Sequence, residues 1–329
     1  MNKEKFRALV VEEINGEFVR EVKQLTKSEL PDGELLIAVK YSSLNYKDTL
    51  SATGNKGVTR VFPHIPGIDA AGVVVESKVS QLKTGQEVIV TGYDLGMNTF
   101  GGFSEYVSVP AIWCTELPLG MTLKESMMYG TAGLTAALSI DKLINHGIKP
   151  DFGSILVTGA TGGVGSLSVA ILSKLGYRVS ASTGKDQENF LRELGAEQIL
   201  SREEVNDLSK KALLKEQWAG VVDTVGGPTL ATALKTTKYG MAVTCCGQVS
   251  SQELLTTVFP FILRGITLYG IDSVYSPDLL RKKVWNNLAS SWKPECLSSM
   301  VNLCNLDDLS TYIDKMISGN IVGRIVVEL

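Results

Sequence analysis

The sequence is poor in side chains that bind metals. Its 329 residues include only two histidines, His64 and His146, and five cysteines that form no CxxC pair. An odd number of unpaired cysteines indicates neither a disulfide framework nor a zinc ribbon. Neither histidine has a Cys, His or Glu at ligand spacing, so the sequence predicts no bound metal.

Long apolar runs and runs of like charge are also missing. No stretch approaches the roughly 20 apolar residues of a membrane helix, and the start MNKEKFRALVVEE has no apolar region followed by a cleavage site. The 32 basic and 35 acidic residues give a net charge of -3 without a basic stripe. We therefore expect a cytoplasmic protein that binds neither nucleic acid nor a membrane.

The chain is long and apolar enough for two hydrophobic cores, since 44% of its residues are hydrophobic. Two different patterns of strands and helices divide it. Residues 1–125 contain short strands broken by Gly and Pro, which is typical of a small β-rich domain. Residues 126–272 alternate strands with amphipathic helical segments, which predicts a doubly wound parallel sheet and an α/β fold. Residues 273–329 end in an alternating strand that suits a return to the β-rich domain. We expect a substrate cleft between the two domains.

A glycine-rich loop marks a dinucleotide site. The run SILVTGATGGVGSLSVAILSKLG places Gly159, Gly162, Gly163 and Gly165 between an apolar strand and an amphipathic helix. Glycine permits the tight turn and lets backbone amides approach a pyrophosphate at the helix N-terminus. Because strand, loop and helix all have suitable lengths, the whole unit and not the glycines alone predicts nucleotide binding.

The end of the next strand favours NADPH over NADH. An NAD enzyme is expected to carry Asp or Glu about 20 residues past the loop, but this sequence reads SASTGK there. Ser182, Thr183 and the Gly184 amide can donate hydrogen bonds to a 2′-phosphate, and Lys185 can add a positive charge. Arg202 is a second candidate for this phosphate, although it could also be a solvated arginine at a helix start.

Seven segments spread over the chain carry a resemblance to a known family. They are SLNYKD at 43–48, FPHIPGIDAAG at 62–72, GTAGLTA at 130–136, TGATGGVGS at 158–166, WAGVVDTVGG at 218–227, PFILRGITLYGIDSV at 260–274 and GR at 323–324. Together they resemble the zinc-free quinone oxidoreductase branch of the medium-chain dehydrogenase/reductase superfamily, and in particular its bacterial acryloyl-CoA reductase and quinone oxidoreductase subgroup.

The resemblance implies a GroES-like catalytic domain, a Rossmann domain, a homodimer and NADPH as cofactor. It places Tyr46 near the nicotinamide and Thr161, Gly162, Gly163 and Val164 at the pyrophosphate. Residues implied elsewhere along the cofactor are Thr183, Gly184, Lys185 and Arg202 at the 2′-phosphate, and Gln248, Ile262, Ser273 and Asn320 at other contacts. Relatives often carry Arg where this chain has Lys185, so bidentate phosphate pairing is lost.

The substrate follows from the absence of a metal site. Zinc alcohol dehydrogenases of similar layout typically have a His-Glu pair where this chain has Ile68 and Asp69. Without zinc to polarise an alcohol, a substrate already activated by conjugation to a carbonyl is favoured. Hydride then adds to the β-carbon, and the protein must supply a donor for the carbonyl oxygen and a proton source.

Tyr46 and Asn45 are the catalytic candidates. Tyr46 could donate its phenolic proton to a developing enolate or pack its ring beside the nicotinamide. Asn45 could orient the substrate carbonyl or satisfy its own turn. Lys47 and Asp48 are expected to make only local surface or interdomain contacts.

Three functions are consistent with these features. The first is an NADPH-dependent reductase of a small enoyl thioester such as acryloyl-CoA, and the second is an NADPH:quinone oxidoreductase. The third, from a different class, is an NADPH-binding structural or regulatory protein with little turnover. The polar SLNYKD segment near the nicotinamide favours chemistry over the third function.

Overall fold

The computed structural model describes residues 5–209 and 211–329. The strands in these ranges are β1 (Lys5–Ile14), β2 (Glu17–Thr26), β3 (Leu35–Leu44), β4 (Asp69–Ser77), β5 (Glu87–Thr91), β6 (Tyr106–Val109), β7 (Cys114–Glu116), β8 (Ile155–Thr158), β9 (Val179–Ser182), β10 (Gln198–Leu200), β11 (Trp218–Asp223), β12 (Thr237–Cys245), β13 (Thr267–Gly270), β14 (Val301–Asn305) and β15 (Arg324–Glu328). The α-helices are α1 (Tyr46–Ala52), α2 (Leu123–Asn145), α3 (Gly163–Lys174), α4 (Glu188–Glu193), α5 (Gly227–Thr236), α6 (Phe259–Arg264), α7 (Asp278–Leu288) and α8 (Leu309–Ile317). Among these helices, none is long and apolar enough to cross a membrane.

The chain divides into two compact units. The first contains the residues up to Thr131 together with Val301–Leu329, and the second contains Ala132–Met300. The sequence pattern instead placed the changes after residues 125 and 272. Helix α7 lies within the second unit, where Lys283 on α7 forms a 2.5 Å ion pair with Asp141 on α2, a long-range contact that the local pattern does not reveal.

The first unit is built on a mostly antiparallel sheet. Its strand order is β14-β15-β3-β4-β5-β7, with β6 also paired to β3, and β1 and β2 form a separate hairpin. Strand β3 alternates buried and partly exposed residues along its first half, as expected of a strand that covers a core with one face. Two apolar clusters fill this unit, one around Phe6 and Phe103 and the other around Ile37 and Val88.

The second unit is a six-stranded parallel sheet with the order β10-β9-β8-β11-β12-β13. All four residues of β8 and all six of β11 are buried, and most of them are apolar, which is typical of parallel strands covered on both faces. This strand order reverses direction at β8, as in doubly wound dinucleotide-binding sheets. The predicted α/β fold, with a β-rich domain and a doubly wound parallel sheet, is confirmed.

Candidate active site

The glycine loop joins β8 to α3 in the second unit. Gly159 has a φ of 59°, and a Cβ atom on Gly165 would clash with the Gly159 carbonyl oxygen. The Ala160 N–H donates to the Ser182 carbonyl at 3.0 Å, which ties the loop to the end of β9. Gly162 caps α3, so the first amides of this helix and its positive dipole end can receive a pyrophosphate.

Lys185 and Arg202 lie close together beyond the ends of β9 and β10. The Arg202 guanidinium lies against the Gly184 backbone, and the Lys185 N–H donates to Thr183 Oγ1 at 3.1 Å. Burial, and after it the charge of Arg202, lowers the pKa of Lys185. Thr183 Oγ1 is also 3.0 Å from Thr161 Oγ1 in the glycine loop. Two adjacent cations beside this loop suit a 2′-phosphate dianion.

The carboxyl ends of β12 and β13 border a depression of about 490 Å³. It lies on the other side of β8 from Lys185, where a doubly wound sheet places the second half of a dinucleotide. Its lining residues are Cys245, Cys246, Gly247, Gln248, Gly270, Ile271 and Asp272. Burial raises the pKa of the Cys245 and Cys246 thiols, which disfavours the thiolate form that acts as a nucleophile.

The remaining residues that the resemblance assigned to the cofactor lie in three different places. Ser273 follows the lining residue Asp272, and its Oγ accepts a hydrogen bond from Thr135 at 2.9 Å. Ile262 is on α6 with 67% of its surface exposed. Asn320 belongs to the first unit and donates from Nδ2 to Ser318 Oγ at 3.1 Å. Of these three, only Ser273 adjoins the depression.

In the first unit, one edge of the sheet collects the polar residues of several motifs. Strands β3 and β5 both pair antiparallel with β4, while β15 pairs antiparallel with β3 and β7 with β5. The ends of β3 and β5 therefore lie at the same edge as the starts of β4, β7 and β15. The residues placed there are Asn45, Tyr46, Asp69, Tyr93, Trp113 and Arg324.

Asp69 and Arg324 form the centre of a buried polar cluster at this edge. The Asp69 carboxylate accepts hydrogen bonds from Ser43 Oγ at 2.5 Å, Asn45 Nδ2 at 2.7 Å and Thr131 Oγ1 at 2.5 Å. Arg324 donates to Ser43 Oγ at 2.8 Å and to Asn45 Oδ1 at 3.3 Å. Asp69 and Arg324 are at most 2% exposed. The amide of Asn45 is thus held at both ends inside the unit, which favours the interpretation that it fixes its own turn.

Gly130 is required by this cluster. It interrupts α2 with φ 53° and ψ -155°, a conformation that residues other than glycine rarely adopt. An added Cβ would also clash with Ser43 Oγ and approach Asp69 Oδ2 to 2.5 Å. The break lets the Thr131 N–H turn towards Asp69 and donate at 2.9 Å, so the GTAGLTA motif serves the cluster directly.

Tyr46 and Asp48 occupy the first turn of α1 with opposite exposure. Tyr46 is 59% exposed, whereas Asp48 is fully buried. The Asp48 carboxylate accepts the Asn45 N–H at 2.7 Å and the Ile68 N–H at 2.8 Å. Burial and the charge of Asp69 raise the pKa of Asp48 to about 7, against the two backbone hydrogen bonds. The expected surface role of Asp48 is wrong, because its carboxylate holds the backbone beneath Tyr46.

Tyr93 lies at the same sheet edge, and the sequence did not single it out. It follows β5 with a φ of 53°, which is a strained value for a bulky residue. Its ring stacks on Trp113 with 5.7 Å between centroids and 4° between planes. The preceding Gly92 N–H donates to the Ile68 carbonyl at 3.0 Å, so the aromatic pair is tied to the backbone that binds Asp48.

The histidines make protein contacts and do not form a cluster. The His64 ring packs edge-on against Phe62 and Phe100, and burial lowers its pKa. His146 bonds to Tyr269 Oη and to the Gly240 carbonyl, each at 3.0 Å. Across residues 5–209 and 211–329, no group of three or more His, Cys, Asp or Glu side chains is placed to hold a metal ion.

Comparison with known proteins identifies the family. Residues 31–119 match the alcohol dehydrogenase GroES-like domain, and residues 163–290 match the domain described as zinc-binding dehydrogenase. Together with the relatives below, these matches show that the chain belongs to the medium-chain dehydrogenase/reductase superfamily. The predicted family and the predicted pairing of a GroES-like domain with a Rossmann sheet are confirmed.

Relatives in this superfamily match over nearly the whole chain. YhfP of Bacillus subtilis, whose name assigns it to the quinone oxidoreductases, is 45% identical over 98% of this chain and 99% of its own. AcuI of Ruegeria pomeroyi, named as an acrylyl-CoA reductase, is 43% identical over the same shares. The crystal structure of the YhdH oxidoreductase from Salmonella enterica with NADP has a TM-score of 0.96 at 41% identity, covering 98% of this chain and 99% of that one. YhfP with NAD bound gives a TM-score of 0.97 at 45% identity, covering 99% and 100%.

Proposed function

We propose that this protein is an NADPH-dependent reductase that delivers hydride to the activated carbon–carbon double bond of a small enoyl thioester such as acryloyl-CoA. The observation that carries the proposal is the exposed Tyr46 on a turn whose neighbouring polar groups are already engaged. AcuI of Ruegeria pomeroyi, similar over the whole chain, is named for this activity.

The second unit fits NADPH. The first amides of α3 suit the pyrophosphate, and Lys185 with Arg202 suits the 2′-phosphate, since the turn 183–185 carries no carboxylate that would repel it. Bound NADPH would supply the hydride. YhfP was crystallised with NAD and the YhdH oxidoreductase with NADP, so the shared fold does not itself select between the two cofactors, and we assign this selectivity to Lys185 and Arg202.

The first unit would supply the donor that the substrate needs. Addition of hydride to the β-carbon places negative charge on the thioester oxygen, and the α-carbon then takes a proton. Of the two catalytic candidates, Asn45 has its amide bound to Asp69 and Arg324, whereas Tyr46 is exposed. We therefore assign the donor role to the Tyr46 hydroxyl and a positioning role to Asn45.

Quinone reduction is the alternative function. The stacked pair of Tyr93 and Trp113 at the same sheet edge offers a flat aromatic surface, which suits a conjugated ring. YhfP of Bacillus subtilis carries a quinone oxidoreductase name. A quinone spreads the incoming charge over its own ring and is protonated by water, so it depends less on Tyr46.

One panel of assays separates these functions. NADPH oxidation is measured with acryloyl-CoA, crotonyl-CoA and 1,4-benzoquinone, using the wild type, Tyr46→Phe and the control Tyr41→Phe on β3. We expect Tyr46→Phe to lower acryloyl-CoA turnover about 10- to 100-fold and quinone turnover less, with the control unchanged. An unchanged acryloyl-CoA rate in Tyr46→Phe removes the donor role, and no turnover with any acceptor despite NADPH binding supports the binding-protein function instead.

A further inference from the structure

Helix α7 carries an arginine where its pattern calls for an apolar residue. The buried positions of this helix are Arg281, Val284, Trp285 and Leu288, a spacing that defines its core-facing stripe. Arg281 is only 1% exposed, although charged side chains are almost never buried without a partner. The position is therefore unusual for a surface helix and calls for a specific contact.

Arg281 contacts the turn that follows β13. Arg281 Nη2 donates to the Ser273 carbonyl at 2.9 Å and to the Val274 carbonyl at 3.0 Å. The same turn is closed by Asp272 Oδ1, which accepts the Val274 N–H at 2.7 Å. Two successive backbone carbonyls are thus fixed by one guanidinium from beneath the turn.

A third group holds the turn from α2. Thr135 Oγ1 donates to Ser273 Oγ at 2.9 Å, so both the side chain and the carbonyl of Ser273 have donors from helices of the second unit. Helix α7 is itself joined to α2 by the ion pair between Lys283 and Asp141. The turn consequently rests on two linked helices.

Through Asp272, this turn forms part of the wall of the depression on the proposed nicotinamide side. Ile271 and Asp272 line this depression at the ends of β12 and β13, together with Gln248. Lys185 and the proposed 2′-phosphate site lie on the other side of β8, beyond the ends of β9 and β10. A change in the turn should therefore affect the nicotinamide half of the cofactor and leave the adenosine half alone.

We propose that Arg281 is a positioning residue that fixes the 272–274 turn as a wall of the nicotinamide site. The inference rests on the proposed binding of NADPH by this unit. An apolar side chain would satisfy the packing of α7 at lower desolvation cost, but it could not donate to the Ser273 and Val274 carbonyls.

The test compares NADPH with a ligand that contains only its adenosine half. Dissociation constants for NADPH and for adenosine 2′,5′-bisphosphate, which lacks the nicotinamide, are measured by calorimetry on the full chain. Arg281→Met should weaken NADPH binding about tenfold, the scale of lost hydrogen bonds to a charged group, and change binding of the bisphosphate by less than about twofold. Arg281→Lys, which keeps a donor, should fall between Arg281→Met and the wild type.

Lys282→Met is the control because Lys282 lies on the exposed face of the same helix, and we expect it to bind both ligands like the wild type. Equal losses for both ligands in Arg281→Met, or no loss for either, would overturn the positioning role. If Arg281→Met does not fold, Arg281→Lys and Thr135→Val carry the test, and equal effects on both ligands in these variants overturn it. A wild type that does not bind the bisphosphate would refute the proposed NADPH site instead.

Discussion

At the scale of single residues, burial separates the polar side chains that can meet a ligand from those that build the scaffold. Tyr46 and Lys185 retain exposed surface, while Asn45, Asp48 and Asp69 are buried and use their polar atoms on neighbouring groups. The SLNYKD motif therefore offers mainly Tyr46 to the substrate, and its remaining polar residues determine where Tyr46 lies.

Lys185 should decide cofactor preference. We expect Lys185→Ala to weaken NADPH binding about tenfold, because a charge-assisted contact contributes roughly 1.5–3 kcal/mol before screening at this partly exposed site. NADH binding should change little, since it lacks the 2′-phosphate. Fluorescence titration with both cofactors measures the two effects, with Lys215→Ala, at an exposed site, as the control. Equal losses for NADPH and NADH would remove Lys185 from the phosphate site.

Asp48 should make stability depend on pH. Its pKa rises from 3.8 to about 7 on folding, first because of burial, so between these values the folded state holds a proton that the unfolded state releases. The unfolding free energy from this group therefore falls as pH rises from about 4 to about 7.

Asp48→Asn should reduce that dependence. The amide accepts only one of the two backbone hydrogen bonds and does not ionise, so the slope of stability with pH, and not the stability at any one pH, is the informative quantity. Urea denaturation measures the free energy of unfolding between pH 5 and 8. Over this range we expect that free energy to fall by on the order of 2 kcal/mol less in Asp48→Asn than in the wild type. The exposed Asp151→Asn variant serves as the reference, and an unchanged slope in Asp48→Asn would contradict the raised pKa.

At the scale of elements, the sequence revealed what is local. The glycine loop could be predicted because β8, the loop and α3 are consecutive, and Lys185 follows one strand later. The Asp69 cluster could not, because its members come from β3, β4, α2 and β15 and meet only after folding. Arg281 has the same origin: in the sequence it is one of several basic residues on α7, and only packing shows that it is buried.

The start of α3 should tolerate no side chain at Gly165. In Gly165→Ala, the added Cβ would clash with the Gly159 carbonyl, so the loop must move and its amides no longer converge on the pyrophosphate. We expect NADPH and NADH to lose affinity by similar factors of about tenfold or more, with a lower melting temperature.

Gly162→Ala, in the same loop, is the matched comparison. Its Cβ would lie 3.3 Å from the same carbonyl oxygen, a contact that a small shift relieves, so its melting temperature should stay near that of the wild type. Wild-type affinity for NADPH in Gly165→Ala would show that the tight approach of the loop to α3 is not needed for binding.

At the scale of the whole molecule, the fold class of the two units can be predicted from the sequence more easily than their bounds. The parallel sheet follows from the alternation of strands and helices, and the β-rich unit from its turn residues, so the fold class was predictable. The boundaries were harder because α2 continues through the break at Gly130 and α7 packs into the second unit. The homodimer implied by the resemblance stays a prediction.

The purified protein should act without a bound metal ion. A catalytic zinc needs three protein ligands and an open position. At the sheet edge of the first unit, Ile68 offers no ligand atom, and the Asp69 carboxylate already accepts hydrogen bonds from Ser43, Asn45 and Thr131. Binding a metal there would break these three hydrogen bonds and disturb the buried cluster in which Ser43 and Asn45 also bind Arg324. Exhaustive dialysis against a chelator should therefore leave kcat/KM for acryloyl-CoA and for 1,4-benzoquinone unchanged, and elemental analysis should find zinc well below one atom per chain.

A zinc alcohol dehydrogenase treated in parallel shows that the chelation is effective. Loss of activity that returns on addition of zinc would mean that the Asp69 cluster rearranges to bind metal, and would reverse the assignment of this site.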